Sequence, residues 1–131
     1  MSSFKVSFPV SQATIESLLC SAFEGGSNYW ARAFKGKKPI KKCEYIYQYP
    51  LFGGSFFVVD LECDDGVFEV TQRSLVKGLK AMSKLGRDEN GEIIPNQGSH
   101  NILDVLSDEA DATTGDVFLQ CCVFGEIMYG G

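Results

Sequence analysis

Residues 15–30 read Ile-Glu-Ser-Leu-Leu-Cys-Ser-Ala-Phe-Glu-Gly-Gly-Ser-Asn-Tyr-Trp. Ile15, Leu18, Leu19, Ala22 and Phe23 recur at the i, i+3, i+4, i+7, i+8 spacing of one helix face, with Glu16, Ser17 and Ser21 between them. That period makes the first part an amphipathic helix. Ser11 is placed to cap it, since a hydroxyl there accepts from an otherwise orphaned backbone N–H, and Val10 and Ile15 occupy staple positions around the cap. Gly25 or Gly26 supplies the left-handed residue that stops the helix. The remainder is denser in chemistry than a connection needs, with an acid, two glycines, an Asn, a Tyr and the single Trp inside residues 22–30. Glu24, Gly25, Gly26, Asn28, Tyr29 and Trp30 are therefore candidate ligand- or partner-binding residues.

Working outward, residues 4–10 alternate as a short strand that Pro9 ends or confines to an edge. Residues 27–34 are expected to form a second short helical segment with Tyr29, Trp30, Ala33 and Phe34 on its apolar face. Lys, Gly and Pro in residues 35–42 predict an exposed loop that could contact an anion or a nucleic acid, although no stacking platform of aromatics accompanies it. Residues 43–49 alternate as a strand with a tyrosine face (Tyr45, Tyr47, Tyr49). Residues 55–63 form the next strand, with Phe57, Val59, Leu61 and Cys63 inward and Asp60 and Glu62 outward. Asp64-Asp65-Gly66 is a hairpin signal before a strand at 67–70. Thr71 caps a helix that buries Leu75, Leu79, Met82 and Leu85, turns Lys77, Lys80 and Lys84 outward, and is closed by Gly86. Residues 87–99 read as a long loop and 101–106 as a short helix. Thr113 or Thr114 starts a last helix, with Asp116 in its first turn. Val117 to Phe124 is apolar nearly all round, as a central helix would be, and Gly125 either ends it or permits a close backbone approach. The expected fold is a single α+β domain over residues 1–131, with an antiparallel three- to four-stranded meander packed against three to four helices.

The chain has 131 residues, 44% of them hydrophobic and 22% charged, the balance of a globular domain with a real core. No run approaches a membrane span, and the N-terminus lacks the pattern of a signal peptide, so a cytoplasmic protein is expected. Five cysteines, odd in number and without C-x-x-C spacing, predict reduced, mostly buried thiols and no metal site. The net charge of −5 is uneven: from Asp88 onward there are nine acids and no Lys or Arg. Direct nucleic-acid binding is disfavoured by this balance. An acidic surface around Asp108, Glu109 and Asp111 would instead meet a basic partner. Homo-oligomerisation is left open.

Catalytic chemistry is hard to find. His100, the only histidine, lies in a polar stretch with no nucleophile motif beside it. The Gly-Gly pairs do not match a phosphate-cradling loop, and Asp60, Glu62, Asp64 and Asp65 read as a solvated face and turn. One juxtaposition stands out. Glu24-Gly25-Gly26 ends one apolar helix and Phe124-Gly125-Glu126 ends another. If the two ends converge, Tyr29, Trp30 and Tyr129 give aromatic walls, Asn28 an amide, and Glu24 and Glu126 acceptors. That is the chemistry of a nucleobase or sugar pocket, of a partner-binding hot spot, or of a paired-carboxylate enzyme. The plainer alternative makes Trp30 and Phe124 core, with Glu24 and Asn28 satisfying helix ends.

Two motifs also carry a likeness. Leu18-Leu19, Ala22-Phe23-Glu24-Gly25-Gly26 and Tyr29-Trp30, with Asp116, Leu119-Gln120, Phe124-Gly125-Glu126 and Tyr129-Gly130, resemble a family of small uncharacterised bacteriophage and prophage proteins. The resemblance implies a phage or mobile-element source and no particular mechanism. With the composition it suggests a non-enzymatic accessory protein, without cofactor, that counters a host defence protein by binding, in the manner of an anti-CRISPR inhibitor. A sponge for a nucleotide-like small molecule is the alternative.

Overall fold

The computed structural model describes residues 10–35, 40–63, 66–84 and 111–129. Residues 4–9 of the strand expected at 4–10, most of the lysine loop, Asp64 and Asp65, Leu85, Gly86, residues 87–99 expected as a loop, His100, residues 101–106 expected as a helix, Asp108, Glu109 and Gly130 lie outside the described residues.

Helix α1, Gln12–Ser21, begins at Ser11, whose hydroxyl accepts from Thr14 N–H at 3.1 Å. It buries Leu18 and Leu19. The helix then widens into a five-residue turn, Ala22–Gly26. Ser27 N–H reaches back to the Ala22 carbonyl at 2.7 Å, and the Ser27 carbonyl in turn accepts from Trp30 and Ala31 N–H at 3.1 and 2.9 Å. This double turn reverses the chain into strand β1, Ala31–Lys35. The helix expected over 27–34 is therefore corrected to a turn and a strand. The small residues Ala31 and Ala33 alternate with Arg32 and Phe34, and pairing with a distant strand outweighs the local helical spacing.

A 3-10 helix, Ile46–Phe52, replaces the strand expected at 43–49. Gln48 Oε1 accepts from Tyr45 N–H at 2.9 Å, and Gln48 N–H donates to the Tyr45 carbonyl at 3.1 Å. These local bonds take the groups a ladder would use, and Pro50 lies inside the segment. The tyrosine pattern is still used for packing. Tyr47 and Tyr49 are buried, and Tyr45 stacks on Tyr47 at 5.3 Å.

Strands β2, Phe56–Asp60, and β3, Gly66–Val70, complete an antiparallel meander in the order β1-β2-β3. Ala33 pairs with Val58, and Val58 with Phe68. The fold is α+β, as expected, but the faces of β2 are reversed. Phe56, Val58 and Asp60 are buried, Phe57 and Val59 are half-buried, and Leu61 and Cys63 are exposed. Residues 56–59 are apolar on both faces, so alternation could not choose a side. The register with β1 and β3 does, and a slip of one residue inverts every side chain.

Helix α2, Gln72–Met82, is capped by Thr71 and buries Leu75, Gly78 and Met82. Its outer face carries Arg73, Lys77 and Lys80, with Lys84 in the turn just past its end, all exposed. Like charges at these spacings cost a few tenths of a kcal/mol per neighbouring pair. Arg73 also sits in the first turn, where the helix dipole disfavours a cation.

Helix α3, Ala112–Phe124, starts before the expected threonines because Asp111 is its cap, accepting from Thr114 N–H at 2.9 Å. Residues 114–122 are all buried, and the helix stops at Gly125 in the left-handed conformation. It packs on α1 backbone to backbone. A Cβ at Gly115 would lie 2.7 Å from the Leu18 carbonyl oxygen, and one at Gly26 would overlap the Ala112 carbonyl. Gly115→Ala should therefore cost about 2 kcal/mol, read as a lowered urea midpoint with an unchanged m-value.

Candidate functional site

The close α1–α3 crossing sets Asp116, in the second turn of α3, against residues 27–30. Asp116 Oδ1 accepts from Ser27 Oγ and from Trp30 Nε1, each at 2.7 Å. Oδ2 accepts from Tyr29 Oη at 2.7 Å and from Gln120 Nε2 at 3.1 Å. One carboxylate thus holds three donors from a single turn and one from its own helix, filling its acceptor sites. Asp116 is 7% exposed, and Gln120, Ser27 and Trp30 are fully buried.

Gln120 extends the network to the C-terminal segment. Its Oε1 accepts from the backbone N–H of Met128 and Tyr129 at 2.7 and 2.9 Å, and its Nε2 donates to the Tyr129 carbonyl at 3.0 Å. Tyr129 continues to the sheet, donating from Oη to Asp60 Oδ2 at 2.7 Å. Asp60 was expected outward. It is buried, and its other oxygen accepts from Glu62 N–H at 3.0 Å. Around these bonds Trp30 packs at 5.3 Å from Phe124 and 5.7 Å from Tyr129, and Phe124 meets Phe68 edge-on. Among the described residues every buried side-chain nitrogen and oxygen has a partner.

Trp30 therefore meets the C-terminal segment at Phe124 and Tyr129, but the two glycine-flanked helix ends do not converge as expected, since Gly26 packs on Ala112, at the opposite end of α3 from Gly125. Asp116 was expected to act in a first turn, yet it is the hub. Gln120, Ser27 and Asp60 were not named as site residues. The signal was present: Asp116 and Gln120 are the only polar side chains in 116–124, four apart on one face of an apolar helix, and such groups need buried partners.

Of the residues expected at the site, Trp30 offers a ligand no surface. Glu24, Gly25, Asn28 and Glu126 are exposed and take no part in the network, and Gly26 serves the helix crossing. Tyr29 keeps half its ring at the surface while its hydroxyl is held inside, and Met128 is also half exposed. Both are fixed by Gln120, Tyr29 Oη lying 3.3 Å from its Nε2. Asp111, expected on an acidic partner surface, is exposed but engaged as the α3 cap. The five cysteines are free thiols. Cys121 and Cys122 are buried, Cys20 and Cys43 half-buried, and Cys63 exposed, against the expectation of mostly buried thiols. Burial pushes the Cys121 thiol up to about 11 and that of Cys122 well above its ordinary range. Among the described residues no cluster of three metal-ligating side chains forms, and no helix is long and apolar enough to cross a membrane.

Both tyrosines at the network hold their protons. Burial, then Asp116, pushes Tyr29 up to about 12. The bond to Asp60, then burial, does the same for Tyr129. A pKa raised in the folded state contributes stability that is intact below the ordinary value of 10.0 and is lost as pH rises toward 12. The urea midpoint should therefore fall across that window. Tyr129→Phe should flatten the fall even though it lowers the midpoint at neutral pH, and phenolate absorbance tracks the titration.

Comparison of the chain with protein-family models, with curated proteins and with solved structures finds no match.

Proposed function

We propose that the protein is a non-enzymatic, phage-type accessory protein that acts by binding a host defence protein. The observation that carries this reading is the use made of the two motifs. Tyr29, Trp30, Asp116, Gln120 and Tyr129 of these motifs are engaged in one satisfied internal network, and beside it at the surface stand the half-exposed Tyr29 and Met128. An exposed aromatic ring tethered by its hydroxyl and a Met anchored by its backbone N–H, with Asn28 and Glu126 exposed in the same segments, have the composition of a protein-binding hot spot. The acid-rich sequence after Asp88 adds electrostatic attraction to a basic partner surface. A nucleotide sponge fits less well, because the indole expected to wall its pocket is enclosed by Phe124 and Tyr129.

The test is native mass spectrometry of tagged protein recovered from bacterial lysate. A co-purifying host protein is expected, lost with Met128→Asp or Asn28→Ala at unchanged melting temperature. A nucleotide-sized adduct without a protein partner would overturn the reading.

A further inference from the structure

We propose that the outer face of α2 is a second docking surface, which takes an acidic amphipathic peptide segment of another protein. Arg73, Lys77 and Lys80 stand at i, i+4 and i+7 of α2, a row spanning roughly 10 Å of helix, and Lys84 follows in the turn just past its end. With Val76 and Ala81 they line a shallow groove of about 430 Å³. Among the described residues no carboxylate pairs with any of the four. Among the described residues the row is thus a cationic stripe without a carboxylate partner, on a chain of net charge −5, held where like-charge spacing works against helix stability.

The second observation is apolar. Val76, 48% exposed, belongs also to a neighbouring groove of about 200 Å³ lined by Val10, Ile15, Leu51 and Leu75 together with Gln12 and Gln72. A row of cations bordering an apolar slot is complementary to a helix that carries carboxylates one turn apart and a Leu-like side chain beside them. A nucleic acid would use the cations but leave the slot empty. No aromatic side chain lines either groove to stack a base. This surface is separate from the Tyr29–Met128 rim and opposite in charge to the acid-rich sequence invoked above, so the two proposals fail independently.

The test is fluorescence anisotropy of the full chain with three labelled probes. These are a peptide of roughly 16 residues with Glu at i, i+4, i+7 and i+11 and Leu on the adjoining positions, a scrambled peptide of the same composition, and an oligothymidine of similar charge. The patterned peptide should bind at least about fivefold more tightly than the scrambled one, and weaken about tenfold between low and physiological salt. Lys77→Glu/Lys80→Glu and, separately, Val76→Asp should each reduce binding about tenfold. Because these side chains are exposed, both variants should stay folded, the charge reversal melting at or slightly above wild type because it relieves the like-charge row, with Lys77→Gln/Lys80→Gln as the milder substitute. Equal binding of the two peptides, tighter binding of oligothymidine, retention of binding by Val76→Asp, or no binding of the patterned peptide would each overturn the proposal.

Discussion

Asp116→Ala should lower the free energy of unfolding by roughly 3–5 kcal/mol, a large share of what a domain of this size holds. The substitution removes one carboxylate but strands several donors. Trp30 Nε1 and Ser27 Oγ are buried and have Asp116 as their acceptor, and Gln120 Nε2 loses a bond that fixes its amide. Each buried donor left without a partner costs about 1–3 kcal/mol. Asp116→Asn keeps the shape and should still cost about 2 kcal/mol. Its NH₂ must face either the Oδ1 edge, where the indole N–H can only donate, or the Oδ2 edge, where the Gln120 amide donates. Gln120 cannot turn over to help, because its Oε1 already accepts from Met128 and Tyr129. Urea denaturation of the two variants should rank alanine below asparagine, and a midpoint within error of wild type for either would sink the hub.

The second large effect is at Trp30. Trp30→Ala should cost about 3–5 kcal/mol, since a fully buried ring is removed from between Phe124, Tyr129 and the sheet. Trp30→Phe separates packing from hydrogen bonding: most of the ring remains and the cost should drop to about 2 kcal/mol. The two sites should also be coupled. With the indole N–H gone, an Asn at 116 can turn its NH₂ to the Oδ1 edge, where the Ser27 hydroxyl rotates to accept. Trp30→Phe/Asp116→Asn should therefore lose about 1 kcal/mol less than the sum of the single variants. Strict additivity would mean that the two side chains act as independent core residues.

What was legible in the sequence divides along physical lines. The helices were readable at Ile15–Phe23 and at Leu75–Met82 because one apolar stripe on a polar helix has a single way to face a core. The α3 run was readable as a buried helix because nothing in it prefers water except Asp116 and Gln120. Strand β1 was not readable, since five residues of alternating small and large side chains carry too little local preference to reveal a pairing partner more than twenty residues away. The faces of β2 were undetermined for the opposite reason, as both are apolar. At 43–49 the alternating tyrosines gave a strand period, and the Gln48 amide, which closes a local turn on Tyr45, overrode it.

The site followed the same division. That the N- and C-terminal motifs meet could be inferred, but not where, since the glycine-ended helix ends lie apart and Gly26 packs on Ala112 rather than near Gly125. Their contact atoms could not be inferred either, because Glu24, Asn28 and Glu126 are the obvious polar residues and all three point to solvent. The buried polar pair four residues apart, Asp116 and Gln120, carried the information instead. Nothing in local spacing says which distant turn will supply its donors.

The central claim is that Asp116 holds the indole of Trp30 inside the protein. Trp30 is the only tryptophan, so its Nε1–H gives a single indole resonance, and hydrogen exchange of that proton reads the bond directly. The structure predicts exchange limited by global unfolding, with a rate that follows urea concentration as the core amides of α3 do, and much faster exchange in Asp116→Asn. Exchange of the wild-type indole at the rate of a solvent-exposed tryptophan, while the α3 amides stay protected, would contradict it.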